Sequence, residues 1–323
     1  MVYQHNNMVM PDSLPSLSVW IRRLKLRHLT VLVTVSRCGS LTAAADALQI
    51  SQPAVSKWLA DIEAALGVQL FIRGRRLRAT PYAEALLHHA ECMLGEARRM
   101  HEEVEAVHGG ASGIVRIGAM MVAAPVLLPR VISQLQLEDS SLRIVVIEDI
   151  AVGLWPRFER NELDLIVGRI DEHVRGERFP LESLYIDPYC VIAGPHHALA
   201  SKRKPTWAEA ARYPWVLPPV PTPLRRAVDV TFVDAGLPAP RPLLESVSFT
   251  TNQVILRESD CLGVSSRAAA RYYQSLGVLK ALPLELTRGI GPVGVVWRDT
   301  EPAPNVARVL EVLRAVGRDL SKS

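Results

Sequence analysis

The residues of this 323-residue chain best suited to chemistry are cationic and amide side chains. Arg73, Arg75, Arg76 and Arg78 place four guanidinium groups within six residues, on the stretch Arg73-Gly74-Arg75-Arg76-Leu77-Arg78-Ala79-Thr80-Pro81, which reads as a short hairpin. A cluster of this kind suits phosphate or minor-groove contact, and taken alone it equally suits a solvated face. Upstream, Gln52, Ser56 and Lys57 lie in the first turns of a helix that opens at Ser51, with Pro53 where a missing N–H costs nothing. Amide, hydroxyl and ammonium groups projecting from a helix start can meet base edges and phosphates in a major groove.

Signals for catalysis are weaker. No Gly-x-Ser-x-Gly elbow or helical His-Glu-x-x-His occurs, so the chain reads as a non-enzyme. Gly289 to Gly294 matches the spacing of a dinucleotide-binding loop, but it contains Pro292 and precedes a strand-like run, so it is assigned to a turn. His196 and His197 with Cys190 lack further ligands at zinc spacing and read as a surface connection; Cys38, Cys92, Cys190 and Cys261 read as free thiols. Asp149, Asp164 and Asp171 read as loop and strand-end acids. Neither a metal nor a cofactor is implied.

The elements that must position the basic groups are short helices. Leu26 to Ser36 reads as a helix, Cys38-Gly39 as a break, and Ser40 to Leu48 as an Ala-rich helix in which Ala43, Ala44 and Ala47 allow close crossing. After a second break, Val55, Leu59 and Ile62 follow i, i+4, i+7 and turn one face of the next helix inward. Two helices and a tight turn make a helix-turn-helix, with the arginine hairpin as its wing. Charge supports the grouping: residues 20–80 carry ten Lys/Arg against three acids, whereas residues 81–108 carry two against six.

That acidic segment places Leu86, Ala90, Met93, Ala97, Met100, Val104 and Val107 at alternating spacings of four and three. The pattern is a heptad seam and predicts a dimerisation helix; the other reading is an amphipathic helix packed on its own domain. Residues 109–113 then read as a flexible connector. From 114 onward strand and helix alternate, which argues for parallel sheet covered by helices in two α/β halves with a cleft at the carboxyl ends of the strands. The expected division is an extension at 1–20, a DNA-binding domain at 21–81, a linker helix at 82–108, a hinge at 109–113 and an effector domain at 114–323.

The words "SLTAAADALQISQPAVSKWLADIEAALGVQLFIRGRRLRAT", Ser40 to Thr80, resemble the LysR-type transcriptional regulators, and the resemblance runs from about Leu24 to the C-terminus. It implies a winged helix-turn-helix, a dimer through the linker helix, usually a tetramer of two dimers, and a periplasmic-binding-protein-like effector domain of two α/β subdomains. Carried over by motif, Thr42, Ser51, Gln52, Pro53, Ser56 and Lys57 would contact double-stranded DNA, and Arg73, Arg75 and Arg76 would form the wing. Lys57-Trp58 stands where the family often has Arg and a polar residue, and Tyr82-Ala83 replaces a common Ala-Gly. The resemblance also places a small-molecule effector against Met120, Met121 and Val122, Thr222 and Pro223, and the helix start at Phe249, Thr250, Thr251 and Asn252.

Helix N-termini in such a cleft favour carboxylate or phosphate, and two methionines suit an apolar wall, though they fill cores as readily. The expected effector is therefore a carboxylated, aromatic or sugar-derived compound. The expected function is activation of a metabolic operon, the family's usual behaviour, with RNA polymerase as a partner. An effector-independent repressor or architectural DNA-binding protein is the alternative, and a small-molecule-binding or enzymatic α/β protein a further one. The apolar runs, Ile117 to Leu128 among them, fall short of the roughly 18 residues a bilayer span needs, and Met1 to Trp20 has no secretory pattern, so a cytoplasmic location without membrane contact is expected.

Overall fold

A computed structural model describes residues 14–72, 74, 76–169, 179–220, 222–287 and 291–322, and the chain divides between Glu102 and Glu103 into two compact units. In the first unit α1 (Leu17–Arg23), α2 (Leu26–Cys38), α3 (Leu41–Leu48) and α4 (Gln52–Leu66) precede β1 (Phe71–Ile72), β2 (Arg78–Ala79) and α5 (Pro81–His108), whose residues from Glu103 onward belong to the second unit. Val31, Leu32 and Val35 of α2 and Val55, Leu59 and Ile62 of α4 are buried in one core, each apolar side chain contributing ~1.5–3 kcal/mol relative to exposure. Gly39 (φ 64°) ends α2 and Gly67 (φ 72°) ends α4, in the left-handed cap that glycine adopts without strain.

Three expectations change here. The boundary at residue 20 falls inside α1, whose Trp20 packs against the core of this unit. The close crossing of α3 rests on Ala44 and Ala45, both buried; Ala43 and Ala47 are exposed, because the inward face is set by the 3.6-residue period and not by alanine content. The seam along α5 also splits. Leu86 and Ala90 pack into their own domain's core, Ala97 is half-buried, and Met93, Met100, Val104 and Val107 are 55, 61, 66 and 68% exposed.

The second unit contains two five-stranded sheets. The first lobe is built from β3 (Gly113–Ala119), α6 (Leu127–Glu138), β4 (Leu142–Glu148), α7 (Ala151–Glu159), β5 (Leu165–Arg169) and β6 (Leu181–Tyr185). The second follows with β7 (Tyr189–Ala193), α8 (Trp207–Ala210), β8 (Trp215–Leu217), α9 (Pro223–Asp234), β9 (Pro242–Glu245), α10 (Phe249–Glu258), β10 (Leu262–Ser266), α11 (Arg267–Ser275) and β11 (Lys280–Glu285). The chain then returns to the first lobe as β12 (Val293–Trp297) and α12 (Pro304–Ser321). Strand orders are β4-β3-β5-β12-β6 and β11-β7-β10-β8-β9.

Each sheet is mixed and not wholly parallel. Strands β4, β3 and β5 run parallel, as do β10, β8 and β9, but β12 and β7 enter antiparallel, because each is the strand on which the chain crosses between lobes. Strand β3 is buried on both faces, which accounts for its nearly unbroken apolar run. The connector at 109–113 is anchored, contrary to the flexible reading. Ala111 donates to the Ala106 carbonyl (2.8 Å), Ser112 donates to Ser141 O (3.1 Å) and Asp139 Oδ2 (3.0 Å), and Asn305 Nδ2 donates to Ser112 O (3.2 Å). No helix among the described residues is long and apolar enough to cross a membrane.

Candidate nucleic-acid interface and effector cleft

The turn between α3 and α4 is built from backbone up. Ser40 caps α3 by accepting from Ala43 N (3.4 Å), and Gln49 ends it in the left-handed region (φ 55°), which turns the chain into α4. Ser51 occupies the N-cap position of α4, yet its side chain makes no capping bond. Thr42, Ser51, Gln52, Pro53 and Lys57 are exposed and Ser56 is half-buried; Thr42 lies at the start of α3 and the other five at the start of α4.

The wing is tied to this helix. Glu63 Oε1, on α4, accepts from Leu70 N (2.7 Å) and Phe71 N (3.4 Å), fixing the start of β1. Leu77 N donates to Gly39 O (3.0 Å), and Thr80 Oγ1 donates to Gln69 O (2.9 Å) while accepting from Ala83 N (3.4 Å) at the start of α5. Arg76 is exposed; Arg73 and Arg75 lie outside the described residues. One cation went unnoticed in the sequence. Arg27, at the start of α2, lies over the Trp58 ring at 5.3 Å, which holds its positive charge against α4. Only the third dimension brings it there.

In the second unit a cleft opens at the carboxyl ends of parallel strands from both sheets. Met120, Met121 and Val122 follow β3, Asp149, Ile150 and Ala151 follow β4, and Arg169 ends β5. From the other lobe come Pro218 after β8, Thr222, Pro223 and Leu224 at the start of α9, Val247 after β9, and Tyr189 of β7. Met120 and Met121 serve both readings weighed for them, lining the cleft while each packs against a neighbouring core.

Five of the nine expected effector residues thus converge, Met120, Met121, Val122, Thr222 and Pro223, and the exposed Thr251 is not among them. Phe249, Thr250 and Asn252 do not line this cleft. Phe249 turns into a core against Tyr273, 4.7 Å between ring centroids, Thr250 is exposed and Asn252 is half-buried. The helix starts also offer fewer donors than expected, since Pro223 has no N–H and Thr222 Oγ1 takes that of Arg225 (3.3 Å). At α7 the Asp149 carboxylate accepts from Ile150 N (2.7 Å). Asp149, read as a plain loop acid, is therefore a cleft residue whose carboxylate is held by the backbone just before α7.

Positive charge in the cleft comes from Arg169, which sequence reasoning missed. Its Nη1 donates to Gly291 O (2.7 Å), its Nη2 donates to Asp187 O, and its guanidinium lies 4.5 Å from the Tyr189 ring centroid. The signal was an arginine closing an apolar strand, and β5 is buried throughout. Arg225, by contrast, is spent on structure, pairing with Asp229 (3.1 Å) and Glu245 (2.8 Å).

The discounted groups resolve as scaffolding. Asp164 Oδ2 accepts from Arg116 N (2.7 Å), and Asp171 lies outside the described residues. His197 is buried and not on a surface connection; Nδ1 accepts from Leu199 N (3.0 Å), and burial lowers its pKa. Burial pushes the Cys190 thiol up to about 12, so it stays protonated. Among the described residues no cluster of three or more His, Cys, Asp or Glu could hold a metal.

Comparison with known proteins follows the same division. Residues 26–84 match the family model for the bacterial regulatory helix-turn-helix protein, lysR family, and residues 108–318 match that for the LysR substrate binding domain. The chain is 32% identical over 296 residues to the HTH-type transcriptional regulator GbpR of Azospirillum brasilense, covering 91% of this chain and 86% of that one. It is 29% identical over 301 residues to the HTH-type transcriptional regulator PcaQ of Agrobacterium fabrum, covering 93% and 97%. Among solved structures, CbnR, a LysR family transcriptional regulator, superposes with a TM-score of 0.64 at 17% identity, covering 91% of this chain and 99% of that one. Full-length CbnR in complex with its target DNA gives 0.64 at 18% identity, covering 91% and 100%. The chain belongs to the LysR family: it is a DNA-binding transcriptional regulator, not an enzyme, with a winged helix-turn-helix and a two-lobed α/β domain that binds a small-molecule effector.

Proposed function

We propose that the protein activates a metabolic operon in the cytoplasm in response to a small carboxylated, aromatic or sugar-derived effector. The observation that carries this reading is the cleft, whose methionine, valine and proline wall surrounds the single arginine Arg169 among its lining residues. An effector with an apolar body and one acid group complements that lining. Coupling of ~1–3 kcal/mol between cleft and DNA sites is enough to change promoter occupancy several-fold or more.

The DNA contacts are assigned to Thr42, Ser51, Gln52, Pro53, Ser56 and Lys57, with Arg73, Arg75 and Arg76 on the wing. Dimerisation is assigned to α5, through the exposed Met93, Met100 and Val104 and the half-buried Ala97. A tetramer on DNA and contact with RNA polymerase complete the reading and rest on family resemblance. Burying one more exposed methionine or valine contributes ~1.5–3 kcal/mol, which supports a helix pair along this stripe. Ala97→Glu is then expected to yield monomers in sedimentation, and an unchanged dimer overturns the assignment.

The decisive experiment measures fluorescence anisotropy on DNA upstream of the protein's own gene, across a salt series, with random DNA as competitor. Affinity at least about a thousand-fold above random DNA, with a steep salt slope, supports a sequence-specific regulator. A compound that stabilises the wild-type chain but not a Thr222→Trp variant then identifies the effector. Specific DNA binding insensitive to every cleft ligand favours the effector-independent repressor instead.

A further inference from the structure

Two charged groups stand among the described residues that line the effector cleft, Arg169 and Asp149, and they are not equally available. Arg169 is 6% exposed and already donates to the Gly291 and Asp187 carbonyls. Asp149 is half-buried; its Oδ1 accepts from Ile150 N (2.7 Å), whereas its Oδ2 makes no hydrogen bond among the described residues and keeps accessible surface. Thr222 is already engaged, since its Oγ1 donates to Pro219 O (2.8 Å) and accepts from Arg225 N. An open acceptor in this wall is therefore a carboxylate oxygen.

The fold holds that carboxylate in place. Asp149 follows β4 directly, and its side chain lies over the first turn of α7, where Gly153 leaves room: a Cβ at 153 would collide with Oδ2 and Cγ. An acid beside a helix start is favourable in itself, which accounts for the residue type but not for the acceptor left open in the cleft wall. Spacing adds a second constraint. Strands β4 and β5 flank β3, with Glu148 and Val167 both opposite Ala119, so the backbones that carry Asp149 and Arg169 stand two strand spacings apart, about 10 Å. The Arg169 guanidinium is held over Tyr189, which belongs to the other lobe.

We propose that the effector is bifunctional: besides its acid group it presents a hydroxyl or an amine at the opposite end of its apolar body, and that group donates to Asp149 Oδ2. The inference rests on the reading of the cleft as the effector site and narrows the ligand class of that site. An acid without a donor brings a like charge into the same partly desolvated cleft as Asp149 and leaves Oδ2 unpaired, whereas a donor satisfies it. The donor belongs at the far end and not beside the acid, because a whole strand separates the two charged residues. Asp149 then selects among acids of similar size, since a site built to receive a hydrogen bond discriminates strongly against an analogue that lacks the donor.

The test titrates the full chain calorimetrically with matched acids: phenylpropionate against para-hydroxyphenylpropionate, hexanoate against omega-aminohexanoate, and phenyllactate, whose hydroxyl sits beside its acid. The two pairs separate a hydroxyl from an ammonium as the donor. In at least one pair the compound with the far-end donor is expected to bind at least about tenfold more tightly than its plain partner, and phenyllactate no more tightly than phenylpropionate. D149N, which keeps an acceptor for Ile150 N, should cut that ratio to about threefold or less. G153A keeps the charge but displaces the carboxylate, so it should lower the ratio too and gives the same readout if D149N does not fold. Each ratio is taken within one variant, so a change in stability cancels. T222W, which fills the cleft, should weaken every probe. Equal affinities within both pairs, tighter binding of phenyllactate than of para-hydroxyphenylpropionate, or a ratio retained in D149N overturns this inference, and the effector reading then stands if T222W abolishes binding of the plain acids. Binding that T222W leaves unchanged, or no binding by any probe, removes the effector reading and this inference with it.

Discussion

The DNA-facing head and the effector cleft use opposite ways of assembling a site. In the head, Thr42 to Lys57 supply six candidate contacts from one helix-turn-helix, and each is placed by the local geometry of a cap, a left-handed turn residue and a helix start. In the cleft, the lining residues come from strand ends and helix starts scattered between Met120 and Val247, and no two segments meet without the sheets being complete. A contiguous site depends on local conformation and a buried face; a dispersed site depends on topology. Recognition should therefore survive damage to the effector domain that ligand response does not.

The largest expected effect breaks that comparison most directly. At Gly194 an added Cβ would run into the Leu256 backbone carbonyl, which cannot move aside like a side chain. Gly194→Ala should therefore cost the effector domain ~1–3 kcal/mol in unfolding experiments. The ratio of specific to random DNA affinity should stay at the wild-type value, and a collapsed ratio would show that the head does not hold recognition by itself.

Next is Gln52→Ala, expected to narrow the gap between operator and random DNA by ~1–3 kcal/mol through loss of a base contact. An unchanged gap in competition anisotropy removes Gln52 from the recognition surface. Arg76→Ala should weaken all sequences alike and flatten the salt dependence by about one unit for one lost phosphate contact. A sequence-selective loss would instead place Arg76 on base edges.

The smallest effect concerns pH. His28 is buried in the head, and burial, followed by the Arg27 charge, lowers its pKa, so the folded head holds the neutral ring. The unfolded chain takes up a proton first as pH falls below about 6.5, so stability present above that value declines until the lowered folded pKa is reached. Melting from pH 8 to pH 5 should show a smaller loss for His28→Gln than for the wild type; parallel curves remove His28 as the cause.

The same contrast explains what the sequence disclosed. Helices α2 to α4 and their buried Val55, Leu59 and Ile62 follow from periodicity. Residues after β3 and at the start of α9 were reachable through family resemblance, because the sheet topology carries them to the cleft. Arg169 was not, since its role depends on carbonyls at Asp187 and Gly291 that lie far along the chain. Phe249 failed for a related reason: an aromatic ring at a helix start gains more from packing against Tyr273 than from facing a solvent-filled cleft. The splitting of the α5 seam was equally hidden, because a heptad repeat states which face is apolar and not how far along the helix each partner extends.

Glu63 has a consequence for the spelling of the operator. Its carboxylate fastens the first wing strand to the recognition helix through two backbone N–H groups. Helix and wing then behave as the fixed jaws of a caliper, and the bases under one jaw must stand at a set distance and rotational phase from those under the other. Inserting one base pair between them displaces the second by ~3.4 Å along the duplex axis and turns it by about a tenth of a helical repeat. If both jaws contact the duplex as proposed, such a reader would absorb that step poorly, and the spacing between the two contacts would itself be part of what the protein recognises.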